Sequence, residues 1–353
     1  LDEPDEARPD VDPAAVAPGA FERLNDYDMD CRGDGDDTAW RDDGLIFEGA
    51  RSLRIAQVDG RFFLGVLADS IEIPPAPKQD ASGFALLAFD DAGTPLASAA
   101  EAAYQTRQEL SDSLQLVYGG GVLEVGISTP NVGTVSTYQH LYTYNDAATG
   151  ALSSGPPQSP VLAGAASASV AMDLTAGWGW SCGDGALYAS DRGLLTMMST
   201  LVPGTIDTCF AEADEGVGTV CADGTCRTYD ATSGSLVEIA GVRAGQDITA
   251  SRRHGGVWTF IDGGHVRIEG AAGPGRMADL ADAATRDGDV VTLLEDGGLL
   301  SLWHGPDGGP FTKVPLAPGG GAVVDVAVAL SNERVFAAVL TDRDALLWAT
   351  WAR

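Results

Sequence analysis

Lysine is nearly missing from this chain: Lys78 and Lys313 are the only two in 353 residues. Arginine raises the basic total to 21, against 51 acidic residues, for a formal net charge of -30. Such a surface repels phosphate backbones and anionic lipid headgroups, so neither nucleic acid nor a membrane surface is an expected partner. Histidine is scarce as well. His140, His254, His265 and His304 stand in no catalytic spacing, and no nucleophile, base and stabiliser converge around them. The sequence therefore predicts no catalytic residue. No apolar run approaches the roughly eighteen residues needed to cross a bilayer, and no charged segment leads into an apolar one at Leu1. Amphipathic helical stretches of ordinary length are absent too, which excludes the helical fold classes.

What remains divides in two. Residues 1–42 are crowded with Asp and Pro and poor in β-branched residues, a composition that buries too little apolar surface to offset its ordering entropy. This stretch reads as an acidic leader or tether, with Phe21 and Trp40 as anchors onto a folded body spanning residues 43–353. A chain starting at Leu1 without methionine is also expected to have lost an upstream segment.

From Gly44 onward, short apolar segments alternate with Gly, Asp, Asn and Ser, the pattern of an all-β protein. Val257–Ile268, VWTFIDGGHVRI, is the clearest unit: two strands joined by an Asp-Gly-Gly turn. Similar turns recur near Asp184, Asp223, Gly263 and Asp296, at intervals of about forty residues, the length of a four-stranded propeller blade. Six such units fit between residues 51 and 317, with Ile71–Gly83 as an insertion in the first. Residues 323–352 supply only three strands, VVDVAVAL, RVFAAVLT and ALLWATWA. The lone segment GLIFEGA, Gly44–Ala50, is expected to add the missing outer strand. The predicted fold is a seven-bladed β-propeller whose ring is closed by an N-terminal strand joining the C-terminal blade.

Three turn sequences carry a family resemblance. YNDAATGAL (Tyr144–Leu152), YDATSGSL (Tyr229–Leu236) and, more weakly, FDDAGTPL (Phe89–Leu96) resemble the third-to-fourth-strand hairpins of quinoprotein-like and WD40-like propellers. The resemblance spans about residues 44–353 and implies an architecture, not an activity.

Candidate ligands lie mostly in the leader. NDYDMDCRGDGDD sets Asp26, Asp28 and Asp30 at alternate positions and follows them with Asp34 and Asp36, a density of hard oxygen ligands that suits Ca²⁺. The run loosely resembles the acidic loops of thrombospondin type 3 repeats, but no glutamate closes an EF-hand loop, and a solvated acidic linker has the same composition. Cys221 and Cys226 flank a four-residue turn and are disulfide candidates across a hairpin ladder. Cys182 and Cys209 are candidates near strand ends, Cys31 lies in the leader, and buried free thiols are the competing reading. The cysteine pattern leans toward an extracellular, periplasmic or cell-envelope setting.

The remaining conspicuous residues have ordinary explanations. Gly119–Gly121 and Gly319–Gly321 lack a phosphate-binding context and read as turns or connections. Arg252, Arg253 and His254 form a basic cluster expected at a solvated turn, with an anionic contact as the alternative. Trp178, Trp180, Trp258, Trp303, Trp348 and Trp351 fall on predicted strands, where core packing is expected. The functional expectation is a non-catalytic, secreted or envelope-associated module for protein binding or assembly. It would act through the face bearing the connections between blades and the second-to-third-strand turns. The alternative is Ca²⁺-dependent carbohydrate or small-ligand binding, or a hydrolase or lyase acting in the central channel.

Overall fold

The second strands of the repeat units are continuous apolar text, such as RFFLGVLA and RVFAAVLT, and a strand of that kind must be covered on both faces. In the computed structural model this is how the chain is arranged. The structure describes residues 40–42, 46–72, 83–102, 114–119, 122–131, 134–144, 152–154, 161–163, 170–173, 178–181, 186–191, 194–200, 209–214, 217–222, 225–230, 237–240, 248–254, 257–269 and 271–353. Among the described residues there is no helix, and every strand pairing is antiparallel.

The chain begins with β1 (Ile46–Glu48), β2 (Ser52–Val58), β3 (Arg61–Ala68), β4 (Ser70–Glu72), β5 (Gly83–Phe89) and β6 (Pro95–Ala102). Sheet I is β2-β3-β5-β6, and β1 pairs with β4 as a separate two-stranded arm. Sheet II joins β7 (Leu114–Gly119), β8 (Val122–Asn131) and β9 (Thr134–Tyr144), with β10 (Leu152–Ser154) and β11 (Val161–Ala163) pairing opposite ends of β9. Sheet III is β12 (Val170–Asp173), β13 (Trp178–Ser181), β14 (Ala186–Asp191) and β15 (Leu194–Thr200). Sheet IV is β16 (Cys209–Asp214), β17 (Val217–Ala222), β18 (Thr225–Asp230) and β19 (Val237–Ala240). Sheet V contains β20 (Ile248–His254), β21 (Val257–Asp262) and β22 (His265–Glu269). Sheet VI is β23 (Leu280–Arg286), β24 (Asp289–Asp296), β25 (Leu299–Pro306) and β26 (Thr312–Leu316). Sheet VII is β27 (Val323–Leu330), β28 (Arg334–Thr341) and β29 (Leu346–Ala352).

The strands of each sheet follow in sequence order, with β11 added beside β9 in sheet II, and sheets I and II, V and VI, VI and VII, and VII and I pack face to face. One apolar cluster joins sheets I and II through Phe63, Phe84, Leu114 and Leu123. Ile261 and Val266 of sheet V meet Ala281 and Leu294 of sheet VI, and Leu293 and Leu302 of sheet VI meet Val328 and Val339 of sheet VII. The first strands of successive sheets lie side by side, including β2 with β7, β12 with β16, β16 with β20 and β23 with β27. The first strand of sheet VII, β27, also lies beside β2 of sheet I.

That seam between the last and first sheets is densely made. Phe62 stacks on Phe336 with ring centroids 4.8 Å apart, and Phe89 sits 5.2 Å from Phe336 and 5.1 Å from Trp348. The turn after Phe89 folds onto β29: Trp348 Nε1 donates to the Gly93 carbonyl at 3.0 Å, and Thr350 Oγ1 donates to that of Ala92 at 3.1 Å. Gly93 has φ of 74°, and a Cβ there would lie 2.7 Å from Thr350 Cγ2, so this close approach requires glycine.

Buried aspartates tie first strands together at corresponding places. Asp282 is the third residue of β23 and 1% exposed; it accepts from the N–H of Ala283 at 3.0 Å and of Val328, on the next sheet, at 2.8 Å. Asp325 is the third residue of β27 and 3% exposed; it accepts from Val326 N–H at 2.9 Å and from Leu53 N–H of sheet I at 2.7 Å. A buried carboxylate is tolerated only with such donors, and charge-assisted bonds are stronger than neutral ones.

The segment Gly44–Ala50, expected as the outer strand of sheet VII, does not form it in its described part, residues 46–50. Ile46–Glu48 pairs with Ser70–Glu72, while Phe47 is buried among residues of sheets I and VII. The outer edge of β29 is met instead by Arg41, whose backbone exchanges bonds of 2.8 and 3.2 Å with Trp348. Trp40 packs edge-on against Trp351 at 6.2 Å, as an anchor should, whereas Phe21 lies outside the described residues. Phe47 is drawn into the seam because an apolar pocket there outweighs ladder pairing for so short a segment. Sheet V likewise lacks a regular fourth strand. Arg276 and Ala278 bond to Val266 and Gly264 beside β22, but Pro274 has no N–H and Gly275 has φ of 60°, which breaks the ladder.

Replacing Asp325 with Ala should cost about 3–5 kcal/mol, since it strands a buried guanidinium described below and two N–H groups. Urea unfolding would read this as a lowered midpoint. By the same measurement, Trp40→Ala should cost about 1–2 kcal/mol through loss of the edge-on contact and buried area.

Candidate functional site

Several sequence candidates fall outside the described residues: Asp26, Asp28, Asp30, Asp34 and Asp36, together with Cys31 and Cys182. Among the described residues, no group of three or more His, Cys, Asp or Glu is arranged to hold a metal ion. No helix among them is long and apolar enough to cross a membrane. The β17–β18 register sets Cys221 directly opposite Cys226, as the hairpin spacing implied, and Cys209 opposes Ala222. His265 opens β22 and is exposed, while His304 lies on β25, so both belong to third strands. Trp258, Trp348 and Trp351 are fully buried core residues. Trp303 alone among the described strand tryptophan side chains is half-buried, so these side chains form no row of exposed rings for sugar stacking.

The basic cluster Arg252–His254 is not at a turn; it forms the end of β20. Arg252 reaches past sheet VI to the first strands of sheets VII and I. Its guanidinium pairs with the Asp325 carboxylate and donates to the Leu53 carbonyl at 2.6 Å. Arg54 donates to that same carbonyl at 3.0 Å. This contact ties the first strands of sheets V, VII and I together. Sequence spacing gives no hint of it, because the partners lie 73 and 199 residues away.

A cleft of about 390 Å³ opens between sheets VI and VII and is lined by Val290, His304, Pro310, Val335 and Arg353 among others. The Arg353 guanidinium is engaged by Asp289 at 2.8 Å and Asp287 at 3.2 Å, which reduces its availability to an anionic ligand.

The second-to-third-strand turns and the connections between sheets share one end of the strands. Ala278 N–H donates to Gly264 O at 3.0 Å, Gly297 N–H to Asp279 Oδ2 at 3.2 Å, and Ala322 N–H to Asp342 Oδ1 at 2.9 Å. Each bond joins a connection to a second-to-third-strand turn. Among the described residues the exposed large hydrophobic side chains are Met277 at 56%, Leu299 at 73% and Val324 at 36%. Met277 lies in the connection between sheets V and VI, Leu299 at the β24–β25 turn, and Val324 at the start of β27 after a connection. All three therefore lie toward this face.

Beside Met277 and Leu299 stands an unusual group. The Arg276 guanidinium lies 4.7 Å from the Trp303 ring centroid, and Lys313 Nζ lies 5.8 Å from it. Trp303 Nε1 donates to Ser301 Oγ at 3.1 Å, which fixes the ring.

No protein-family model and no curated protein matches the chain. Its structure does have solved counterparts. A sialidase of Trypanosoma rangeli, in complex with the inhibitor DANA, aligns with a TM-score of 0.51 at 13% identity, over 86% of this chain and 55% of that one. The chain thus spans little more than half the length of that enzyme. The β-propeller domain of Cps50 (Swd1) from Myceliophteria thermophila aligns with a TM-score of 0.49 at 10% identity, over 88% of this chain and 99% of that one. BamB from Moraxella catarrhalis aligns with a TM-score of 0.38 at 14% identity, again over 88% and 99%. At such identities a likeness concerns fold alone. Antiparallel meanders packed face to face, with their first strands adjacent, are the construction of one architecture. The chain is a β-propeller.

Its exposed apolar residues are expected to be dispensable for folding. Met277→Ser and Leu299→Ser should each change stability by less than about 0.5 kcal/mol, because neither side chain fills a core. Trp303→Ala should cost more, about 1–3 kcal/mol, since the ring also packs against the sheet V–VI core. Thermal and urea melts of the three variants check this contrast.

Proposed function

We propose that this propeller is a non-catalytic protein-binding or assembly module that works through its connection face. The observation carrying the proposal is that Met277, Leu299 and Val324, the exposed large hydrophobics among the described residues, all lie toward that face. Exposed apolar side chains gathered at one end of a rigid scaffold mark an interaction surface more often than a packing defect. The proposed architecture has seven blades, one for each of sheets I–VII. Ring closure through the seam between sheets VII and I is supported by Asp325, Phe336 and the Arg41 bridge.

The proposal extends to setting and leader. An extracellular, periplasmic or envelope location is favoured by the acidic composition and by the facing positions of Cys221 and Cys226, which would form a disulfide there. Residues 1–42 would serve as a tether, with Asp26, Asp28, Asp30, Asp34 and Asp36 taking Ca²⁺. If they do, millimolar Ca²⁺ raises the melting temperature of the full chain only where the leader packs on the body, and calorimetric titration detects binding in either case.

A second reading, a propeller that binds a carbohydrate or another small ligand, rests on the cleft of about 390 Å³ beside His304 and Arg353. Site-specific photo-crosslinking separates the two. A benzophenone side chain at Leu299 should label a protein from native secreted or envelope fractions, and the same probe at Asp59, on the opposite end of the strands, should not. Equal labelling from both positions, or none from Leu299, would overturn the protein-binding reading.

A further inference from the structure

The protein-binding reading leaves the partner's chemistry open, and the strip beside Leu299 addresses it. In β25, Leu300 and Leu302 face the core shared with sheet VII, so Leu299, Ser301 and Trp303 share the opposite face. In β26, Val314 and Leu316 belong to that same core, which places Lys313 and Pro315 on the face with Trp303; Lys313 is paired in register with Trp303, and Pro315 with Ser301. Sheet V supplies no regular fourth strand to cover this surface. The irregular segment before Ala278 lies there instead, bringing Arg276 over the Trp303 ring and Met277 against Gly264.

The charges are out of keeping with the rest of the chain. Acidic residues outnumber basic ones 51 to 21, yet Arg276 and Lys313 have no carboxylate partner among the described residues. The carboxylates of the nearby turns and connections accept backbone N–H groups instead: Asp279 from Gly297, Glu295 from Gly298, and Asp307 from Ala272. Two cations over one ring repel each other, and the ring face offsets only about 0.5–1 kcal/mol for each at an exposed site. A carboxylate reaching this group would be attracted by both cations and could engage the guanidinium through two parallel bonds. Exposed Met277 and Leu299 flank this station with apolar area. Pro315 lacks an N–H, so the β26 edge is a poor template for strand addition, and recognition falls to side chains.

We infer that the strip formed by Leu299, Trp303, Lys313, Arg276 and Met277 docks a protein segment in which carboxylate side chains alternate with aliphatic ones. This inference rests on the protein-binding reading and adds the partner's chemistry. The overall negative field repels acidic segments elsewhere on the surface, so this local cationic station would also fix where such a segment lands.

The test uses the full chain and dye-labelled peptides in fluorescence anisotropy. The probe is a peptide alternating Asp and Leu, compared with an Asn/Leu peptide and an Asp/Ser peptide. Saturable binding of the Asp/Leu peptide is expected. It should weaken by about tenfold or more in the Asn/Leu and Asp/Ser peptides, in the Arg276→Gln/Lys313→Gln variant, and on raising salt from about 50 to 500 mM. Arg343→Gln, which removes a positive charge from the same face outside the strip, should stay within about twofold of wild type. No saturable Asp/Leu binding, equal affinity for Asn/Leu, or full affinity in the double variant would overturn the inference.

The Leu299 crosslinking experiment distinguishes this failure from failure of the broader reading. Labelling that survives Arg276→Gln/Lys313→Gln but falls with Met277→Ser leaves protein binding standing and removes the acidic partner. Labelling at Leu299 indifferent to both variants removes the strip as the docking site, and no labelling at Leu299 removes both readings.

Discussion

The carboxylate of Asp325 is where the two ends of this fold meet. One oxygen takes the Leu53 N–H of the first sheet, the other takes the N–H of Val326, and the Arg252 guanidinium closes on the same group. A sheet that packs only on its sequence neighbour leaves the first and last members of a series with one bare face each. In the proposed closed ring, joining those faces would remove that exposure and couple the first sheet to the last. The aromatic packing of Phe62, Phe89, Phe336 and Trp348 lies within the apolar cluster at this seam, but it is tolerant of small displacement. The directional bonds of Asp325 are not, and they set the height at which β27 and β2 align.

The strands were legible because their cause is local. The expected segments VVDVAVAL and RVFAAVLT coincide with β27 and β28, and the two strands expected in VWTFIDGGHVRI are β21 and β22. The three turn sequences that resemble propeller hairpins each join paired strands, with Phe89 opposite Pro95, Tyr144 opposite Leu152 and Asp230 opposite Val237. Continuous apolar text in second strands reflects burial on both faces, and the alternating burial of β26 reflects its outer position. What could not be read depends on long-range choices. Whether residue 41 or 47 takes the edge of β29 is decided by which side chain fits the seam, and both segments are short enough for either. The Arg252 contact needs three sheets in place before it exists. Asp282 and Asp325 did leave a signal, since each stands third in its strand before an apolar pair. Related text occurs at Asp207 in IDTCFAEA and at Asp247 in DITAS, but an aspartate in so acidic a chain invites a solvent-facing reading.

The same construction explains why recognition is proposed at the strand ends. Second strands are enclosed between neighbouring sheets, so substitutions there change packing before they change recognition. The space among the first strands is crossed by Arg252, which gives its positive charge to the scaffold. The end bearing the connections has neither constraint, and its turns accept varied side chains on a rigid base. Met277 and Leu299 are exposed there without being needed by any core described above.

Charge sharpens that surface. With a net charge of -30, adding one more carboxylate pair would be easy, and the arginines near the seam and the opposite end show it done, as with Arg252 and Asp325 or Arg353 and Asp289. Arg276 and Lys313 depart from that habit while sharing a single indole ring. Long-range repulsion and short-range attraction then act in opposite directions on an acidic partner. Repulsion penalises landing places other than the one where two cations share an indole ring, and salt weakens the diffuse field and the exposed contact together. Specificity on such a surface comes from the contrast between the station and its surroundings, so an acidic body is a better setting for it than a neutral one would be.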